Sequence, residues 1–319
     1  MVLGVLTLAG GCWLLLEPYS PLGAALCSLV ILMAYVPVLA LEFFWAYRVN
    51  RHDRVARASG AVVLRGWLSE IRTTPQVFGW RQPFRSQMVP DTDLCDWPTT
   101  STGANTKIKS ARCGVILIHG FFCNRGIWTP WLGPLQAAGH PFMALNLHPA
   151  FAGIDDYVPL IDAAVQRMTQ ATGQPPVLVC HSMGGLAARA WRRAVMPGTC
   201  ANEHQIRHII TIGTPHHGTV AARFGQAPNA RQMRVGNPWL AQLARDEAAM
   251  AADAPPYAVF TCWYSNTDNI VFPASSATLP GAANHMMAGC GHVDLALEPE
   301  VMAHTLALLN KLSASAIKD

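Results

Sequence analysis

Three residues of this chain carry the chemistry of nucleophilic catalysis in an order and a setting that suit it: Ser182, Asp268 and His292. Ser182 ends the apolar, β-rich run Val177-Leu178-Val179-Cys180-His181, and Met183-Gly184-Gly185 follow before a helical pattern begins. A strand that turns sharply into a helix presents a serine hydroxyl in the open, as a nucleophile elbow. The turn is strained, so its neighbours must be small, as Gly184 and Gly185 are. Cys180 stands where the G-x-S-x-G pattern has its first glycine, so the motif here reads C-x-S-x-G. By itself, a serine before two glycines also suits an ordinary strand-to-helix turn.

Tyr257 to Tyr264 reads as a strand, and Asp268, just past its end, is the sole acid between Asp253 and Asp294. His292 lies on the glycine-flanked loop Gly289-Cys290-Gly291 before a C-terminal helix. His285 competes with it, but His285 precedes the short apolar run Met286-Met287-Ala288 and His292 follows it. Singly, Asp268 suits a turn and His292 a helix cap. The order serine, acid, histidine, with each at a strand end, points to a triad.

A serine hydroxyl is a poor nucleophile until a base takes its proton, which a near-neutral imidazole can do. A carboxylate fixes the imidazole tautomer and stabilises the imidazolium as it forms. The tetrahedral oxyanion needs preorganised N–H donors. One is expected from the backbone of Met183. The other is expected from Phe121, after the strand-like run Gly114 to Ile118 and the pair His119-Gly120, although a His-Gly pair also suits a plain turn.

These residues resemble the α/β-hydrolases, and within them the bacterial lipases and esterases, over roughly residues 112 to 312. The resemblance rests on His119-Gly120-Phe121, on His181-Ser182-Met183-Gly184-Gly185 and on Ile212-Gly213-Thr214-Pro215-His216-His217-Gly218-Thr219, which is similar to a G-T-P-H-x-G segment of many lipases. Gln232 to Leu240 also looks like a cap-region segment of related esterases. The resemblance implies carboxylic-ester hydrolysis through an acyl-enzyme. Some relatives hold a structural calcium ion near the histidine, with an Asp two residues after it. Asp294 matches that position, but no second carboxylate ligand is assigned, and no cofactor is expected.

The elements that must position these residues alternate. Strand-like runs at 114–118, 142–147, 177–181, 207–212 and 257–264 are separated by helical patterns, such as the stripe Val158, Ile161, Val165 and Met168. This predicts a mostly parallel, doubly wound sheet with its site beyond the carboxyl ends of the strands, in keeping with the α/β-hydrolase fold that the resemblance implies. The stretch 219–256 interrupts the rhythm and is read as a helical cap or lid; a surface helix pair without a gating role accounts for the same pattern.

Before Arg48 there is no lysine or arginine, and Glu17 and Glu42 are the only acids. Leu22 to Leu41 is apolar over a bilayer-spanning length, Val2 to Leu16 is a shorter run, and Glu17 to Pro21 reads as a turn. Residues 1–47 are therefore expected to form a hydrophobic helical hairpin that anchors the chain in a membrane, taken as a bacterial inner membrane. A buried helix pair is the other reading. A cleaved signal peptide fits poorly without a basic n-region. Arg48, Arg51, Arg54 and Arg57 follow, which by the positive-inside rule favours a cytoplasmic catalytic domain. Residues 48–111 read as a connecting segment without chemistry of its own, turn-rich from Trp97 to Asn105, and residues 112–319 as the catalytic domain.

With 319 residues there is room for one sizeable core plus this appendage. The net charge of +4 is mild and forms no basic stripe, so no nucleic-acid partner is expected. Nine cysteines without a C-x-x-C pair read by default as free thiols, which favours a reducing compartment. Two functions from different classes remain. One is a membrane-anchored serine ester hydrolase acting on lipid-like or other acyl esters. The other is an acyltransferase or a non-catalytic interaction protein on the same scaffold.

Overall fold

The computed structural model describes residues 2–95, 99–102, 106–109, 112–195, 206–250 and 255–315. The chain begins with α1 (Val2–Leu16), a turn, α2 (Pro21–Met33) and α3 (Tyr35–Val49). Ser20 caps α2 by accepting the Gly23 N–H at 3.0 Å, and Pro21, which has no N–H to leave unpaired, occupies its first turn. The Ser28 hydroxyl donates to the Ala9 carbonyl at 2.9 Å and ties the two helices together. α3 follows α2 after the single residue Ala34, so Pro21–His52 forms a 32-residue helical stretch whose most apolar window is only 11% buried. The helix expected at Leu22–Leu41 thus runs on beyond that span, and its last turns do not lie free: Leu39, Phe43, Ala46 and Asn50 are buried.

α4 (Gly60–Thr74) starts at Ser59, whose side chain caps Val62, and passes through a π-helical stretch, Pro75–Arg81, into the short α5 (Gln82–Phe84). Strands β1 (Thr99–Thr102) and β2 (Thr106–Lys109) pair antiparallel, and the rest of Trp97–Asn105 lies outside the described residues.

The remaining described elements begin with β3 (Val115–Ile118), α6 (Thr129–Ala137), β4 (Phe142–Ala144), α7 (Val158–Thr172), β5 (Val177–His181), α8 (Met183–Val195) and β6 (His208–Ile212). After the interruption come α9 (Pro228–Gln232), α10 (Pro238–Met250), β7 (Phe260–Ser265), β8 (Ala283–Met287), α11 (His292–Leu295) and α12 (Pro299–Ser315). The six strands β3 to β8 form one sheet in the order β4-β3-β5-β6-β7-β8, and every neighbouring pair is parallel.

A sheet covered on both faces needs apolar side chains on both, which is why its inner strands read as unbroken hydrophobic runs. Ile116, Ile118, Leu178 and Cys180 face the layer that holds Leu186 of α8 and Met168 of α7. Val115, Leu117, Val177 and Val179 face Trp128, Trp131 and Leu309 on the other side. All five residues of β5 are buried, so its last side chain is delivered at a fixed height above the sheet.

The stretch read as a cap is tied down. Leu240, Leu243 and Glu247 of α10 are buried, and Glu247 pairs with Arg189 of α8 at 2.6 Å. Tyr257 donates to the same carboxylate at 2.9 Å. Trp239 and Arg193 both bond Asp155, at 2.6 and 2.5 Å.

Candidate active site

Ser182 follows β5 and precedes α8, with φ at 54°, one of two non-glycine residues in the left-handed region among the described residues. That conformation is costly for an L-residue and persists only where its surroundings enforce it. Three contacts do so. The Ser182 N–H donates to the Ile212 carbonyl at 2.9 Å, and its own carbonyl accepts the Thr214 hydroxyl at 2.8 Å. A Cβ at Gly184 would lie 2.5 Å from the Ile118 carbonyl oxygen and 2.7 Å from that of His119, so only glycine lets α8 start this close to β3. Gly185 is closed in the same way by the Thr214 side chain. The Gly213-Thr214-Pro215 segment therefore braces the elbow from behind. Cys180, the departure from the usual motif, is a buried core residue on the sheet face.

Across the site, a Cβ at Gly120 would lie 2.6 Å from Ser182 Cβ, which puts the loop after β3 directly over the serine. His119 sets the orientation of that loop. Its Nε2 accepts the Leu147 N–H at 3.0 Å, so Nδ1 must carry the proton it donates to the Gly120 carbonyl at 2.8 Å. The Cys123 N–H donates to the same carbonyl at 3.3 Å. In a trans peptide the N–H points opposite to the C=O. With the Gly120 oxygen turned inward, the Phe121 N–H faces the other way. Burial pushes His119 down to about 4, so it stays neutral. Met183 is the first residue of α8, where N–H groups have no intrahelical partner.

Asp268 lies on the loop after β7 and His292 opens α11, and the fold brings their side chains together. His292 Nδ1 is 2.9 Å from Asp268 Oδ2, and both residues are buried. The other carboxylate oxygen of Asp268 accepts the N–H groups of Ile270 and Val271, at 2.9 and 2.7 Å, so the acid cannot rotate away. A Cβ at Gly213 would sit 3.2 Å from both Asp268 Oδ2 and His292 Nδ1. Burial disfavours the imidazolium, but the charge and hydrogen bond of Asp268, with Glu70 and Glu42 behind it, raise His292 above its ordinary value. The ring of His181, next to the serine, lies 4.7 Å from that of His292 and donates through Nε2 to the His292 carbonyl at 3.1 Å. Burial and the neighbouring His292 keep His181 well below its ordinary value, hence neutral.

His285, the competing histidine, stacks on Trp263 along β8 with ring centroids 4.7 Å apart and belongs to the sheet edge. Asp294 gathers with Cys290 and Glu298, their ligand atoms within 4.8 Å of one another. A second carboxylate is thus present, but the third donor is a soft thiol that burial keeps protonated, and Arg65 adds a positive charge beside them. That set does not fit calcium, which takes six to eight oxygen ligands.

Sequence patterning missed two carboxylates. Glu70 of α4 accepts the N–H groups of Val293 and Asp294, and Glu42 of α3 accepts the side-chain amide of Asn269, whose oxygen holds the His292 N–H. For Glu42 a signal existed: an acid between the apolar run Leu22–Leu41 and Phe43-Phe44-Trp45 is expensive and asks for a reason. Nothing local marked Glu70.

A parallel sheet with a serine on a strained strand-to-helix turn, and a hydrogen-bonded acid–histidine pair beside it, defines the α/β-hydrolase class. The model of the alpha/beta hydrolase family matches residues 115–305, and the chain belongs to that family. Among solved structures it is similar to the mature Bacillus licheniformis lipase BlEst2, with TM-score 0.52 and 16% identity over 66% of this chain and 96% of that one. It is also similar to Aspergillus fumigatus lipase B, with TM-score 0.51 and 18% identity over 72% of this chain and 61% of that one. No curated protein matches it significantly.

Proposed function

We propose that this protein is a serine carboxylic-ester hydrolase acting on lipid-like or other acyl esters. The observation that carries the reading is the buried Asp268–His292 pair, its imidazole 4.7 Å from the ring of His181, the residue before the strained turn at Ser182. His292 Nε2 takes the Ser182 proton as Oγ bonds to the ester carbonyl carbon, and the carbonyl oxygen becomes an oxyanion held by the N–H groups of Phe121 and Met183. The intermediate collapses, the C–O bond to the alcohol breaks, and the imidazolium gives its proton to the departing oxygen. Water then repeats the cycle on the acyl-enzyme, deprotonated by His292, and releases the carboxylic acid. Asp268 holds the Nδ1–H tautomer throughout.

An apolar substrate suits the mouth of the site. Phe121, Phe122 and Phe151 form an edge-packed trio, with centroids 4.3 to 5.8 Å apart, and Phe122 is 64% exposed while held at φ 58°. The likeness to two lipases favours the same substrate class. Residues 1–47 are proposed to anchor the chain in a membrane, since the stretch from Pro21 exceeds the roughly 20 residues a helical span needs. Residues 112–319 then form the catalytic domain and 48–111 its connection to the anchor.

The test is hydrolysis of p-nitrophenyl esters of two to sixteen carbons in detergent by the wild type and Ser182→Ala. Activity lost in the variant supports the reading, and equal activity in both overturns it.

A further inference from the structure

Strand residues hold the histidine loop from within, Ser265 donating to the Cys290 carbonyl at 2.8 Å and His181 to that of His292 at 3.1 Å. Two helices outside the sheet, α4 and α3, hold it as well. On α4, Arg65 donates to the Ala288 carbonyl and Thr73 to Asp294 Oδ1 at 3.1 Å. α4 lies directly on this loop, close enough that a Cβ at Gly66 would be 3.4 Å from the Gly289 carbonyl carbon and 3.2 Å from Thr267 Oγ1. Glu70, on the next turn, is 1% exposed and spreads its carboxylate across the start of α11: Oε1 accepts the Val293 N–H at 3.1 Å and Oε2 the Asp294 N–H at 3.0 Å. Gly291 makes the approach possible, because a Cβ there would collide with that carboxylate. Among the described residues no cationic side chain forms an ion pair with Glu70. A buried carboxylate without such a partner is expensive; burial pushes it up to about 7, against the two N–H groups that favour its charged form.

The second support comes from α3. Glu42 Oε2 accepts the Asn269 amide at 2.8 Å, and Asn269 Oδ1 accepts the His292 N–H at 3.0 Å. Asn269 adjoins Asp268, so this short chain of bonds touches both members of the acid–histidine pair. Further contacts hold the same helices in place. Asn50 accepts the Ala274 N–H at 3.0 Å, Asp53 accepts the Ser275 N–H at 2.7 Å, and Tyr35 donates to the Ile71 carbonyl at 3.0 Å.

We propose that Glu70 and Glu42 are positioning residues for His292. The N-terminal helices, one of them continuous with the apolar stretch, complete the geometry of the acid–histidine pair, and the catalytic domain is not set without them. This rests on the reading of His292 as the base that serves Ser182. Two N–H groups and one side-chain amide are satisfied by these carboxylates, and freeing them lets the loop shift by fractions of an ångström. A misplacement of about 1 Å can cost on the order of 100-fold in rate.

The experiment uses the full-length chain in detergent, with Glu70→Gln, Glu42→Leu and Glu42→Gln. Active sites are titrated with a fluorophosphonate, and thermal midpoints are recorded alongside. Glu70→Gln keeps the volume but turns an amide N–H toward a backbone N–H. Glu42→Gln keeps the acceptor for Asn269, and Glu42→Leu does not. Glu70→Gln and Glu42→Leu are expected to lower kcat per titrated site about 10-fold or more with KM changed by less than about twofold, and Glu42→Gln to restore it. The downfield proton resonance of His292 Nδ1–H is expected to shift or broaden in the two impaired variants. Unchanged kcat per site and an unchanged resonance overturn the proposal, even if the thermal midpoint falls. A wild type that hydrolyses no ester, yet whose resonance responds to the substitutions, overturns the ester-hydrolase reading and leaves the positioning role standing.

Discussion

His292 Nδ1 and Asp268 Oδ2 meet at 2.9 Å inside the protein, and two backbone N–H groups on the opposite carboxylate oxygen lock the acid in that pose. In the proposed mechanism His292 must be neutral to accept the serine proton, and it is raised above its ordinary 6.5. Activity should therefore fall as pH drops through a limb lying above 6.5. The sign for stability is opposite: the raised value favours the protonated fold, so that contribution is full below the unfolded pKa and lost as pH rises through the folded one. Asp268→Asn should lower kcat by about 10³- to 10⁴-fold and move the acid limb of kcat/KM to lower pH, read from pH–rate profiles.

His119 offers a second test. Its Nδ1–H holds the Gly120 carbonyl at 2.8 Å and so turns the following N–H, that of Phe121, outward. His119→Phe should cost about 100-fold in kcat, the scale of losing one oxyanion donor, with KM little changed. Because His119 is pushed down to about 4, it should add no limb of its own to the profile near neutral pH.

The glycines of the elbow should separate sharply from glycines in open space. A Cβ at position 184 meets two backbone carbonyls at 2.5 and 2.7 Å, which cannot give way as a side chain can. Gly184→Ala should destabilise by about 1–3 kcal/mol and depress activity. Gly133→Ala on α6, where nothing lies within 4 Å, should be neutral or stabilise by up to about 1 kcal/mol. Thermal unfolding of the two variants side by side checks this.

The Arg189–Glu247 pair joins α8 to α10 at 2.6 Å with both side chains almost fully buried. Glu247→Ala should destabilise by about 3–5 kcal/mol, since it strands a buried guanidinium. The double change Arg189→Met with Glu247→Leu should recover much of that loss, measured by denaturant unfolding.

Much of the architecture is legible in the amino-acid sequence. Apolar runs of strand length alternating with helical stripes predict the parallel sheet, because burial on both faces demands such runs. The edge strand β8 is harder: Ala283–Met287 is partly exposed along its length and shows no continuous apolar signal. At the site, Asp268 and His292 stand out as polar residues just past strand ends, and Ser182 by its small neighbours. His119 is visible only as part of a His-Gly pair, since its bracing role depends on Leu147, 28 positions away.

The sequence by itself determined the strand-forming runs, the turn that Gly184 and Gly185 permit, and the apolar length of the N-terminal stretch. These follow from local periodicity and steric size. Which groups meet across the fold was decided by tertiary packing. Glu70 reaches Val293 and Asp294 across 223 and 224 positions, and Glu42 reaches Asn269 across 227. No local pattern encodes such a contact, because it forms only when a helix lays one face on a loop made by the far end of the chain.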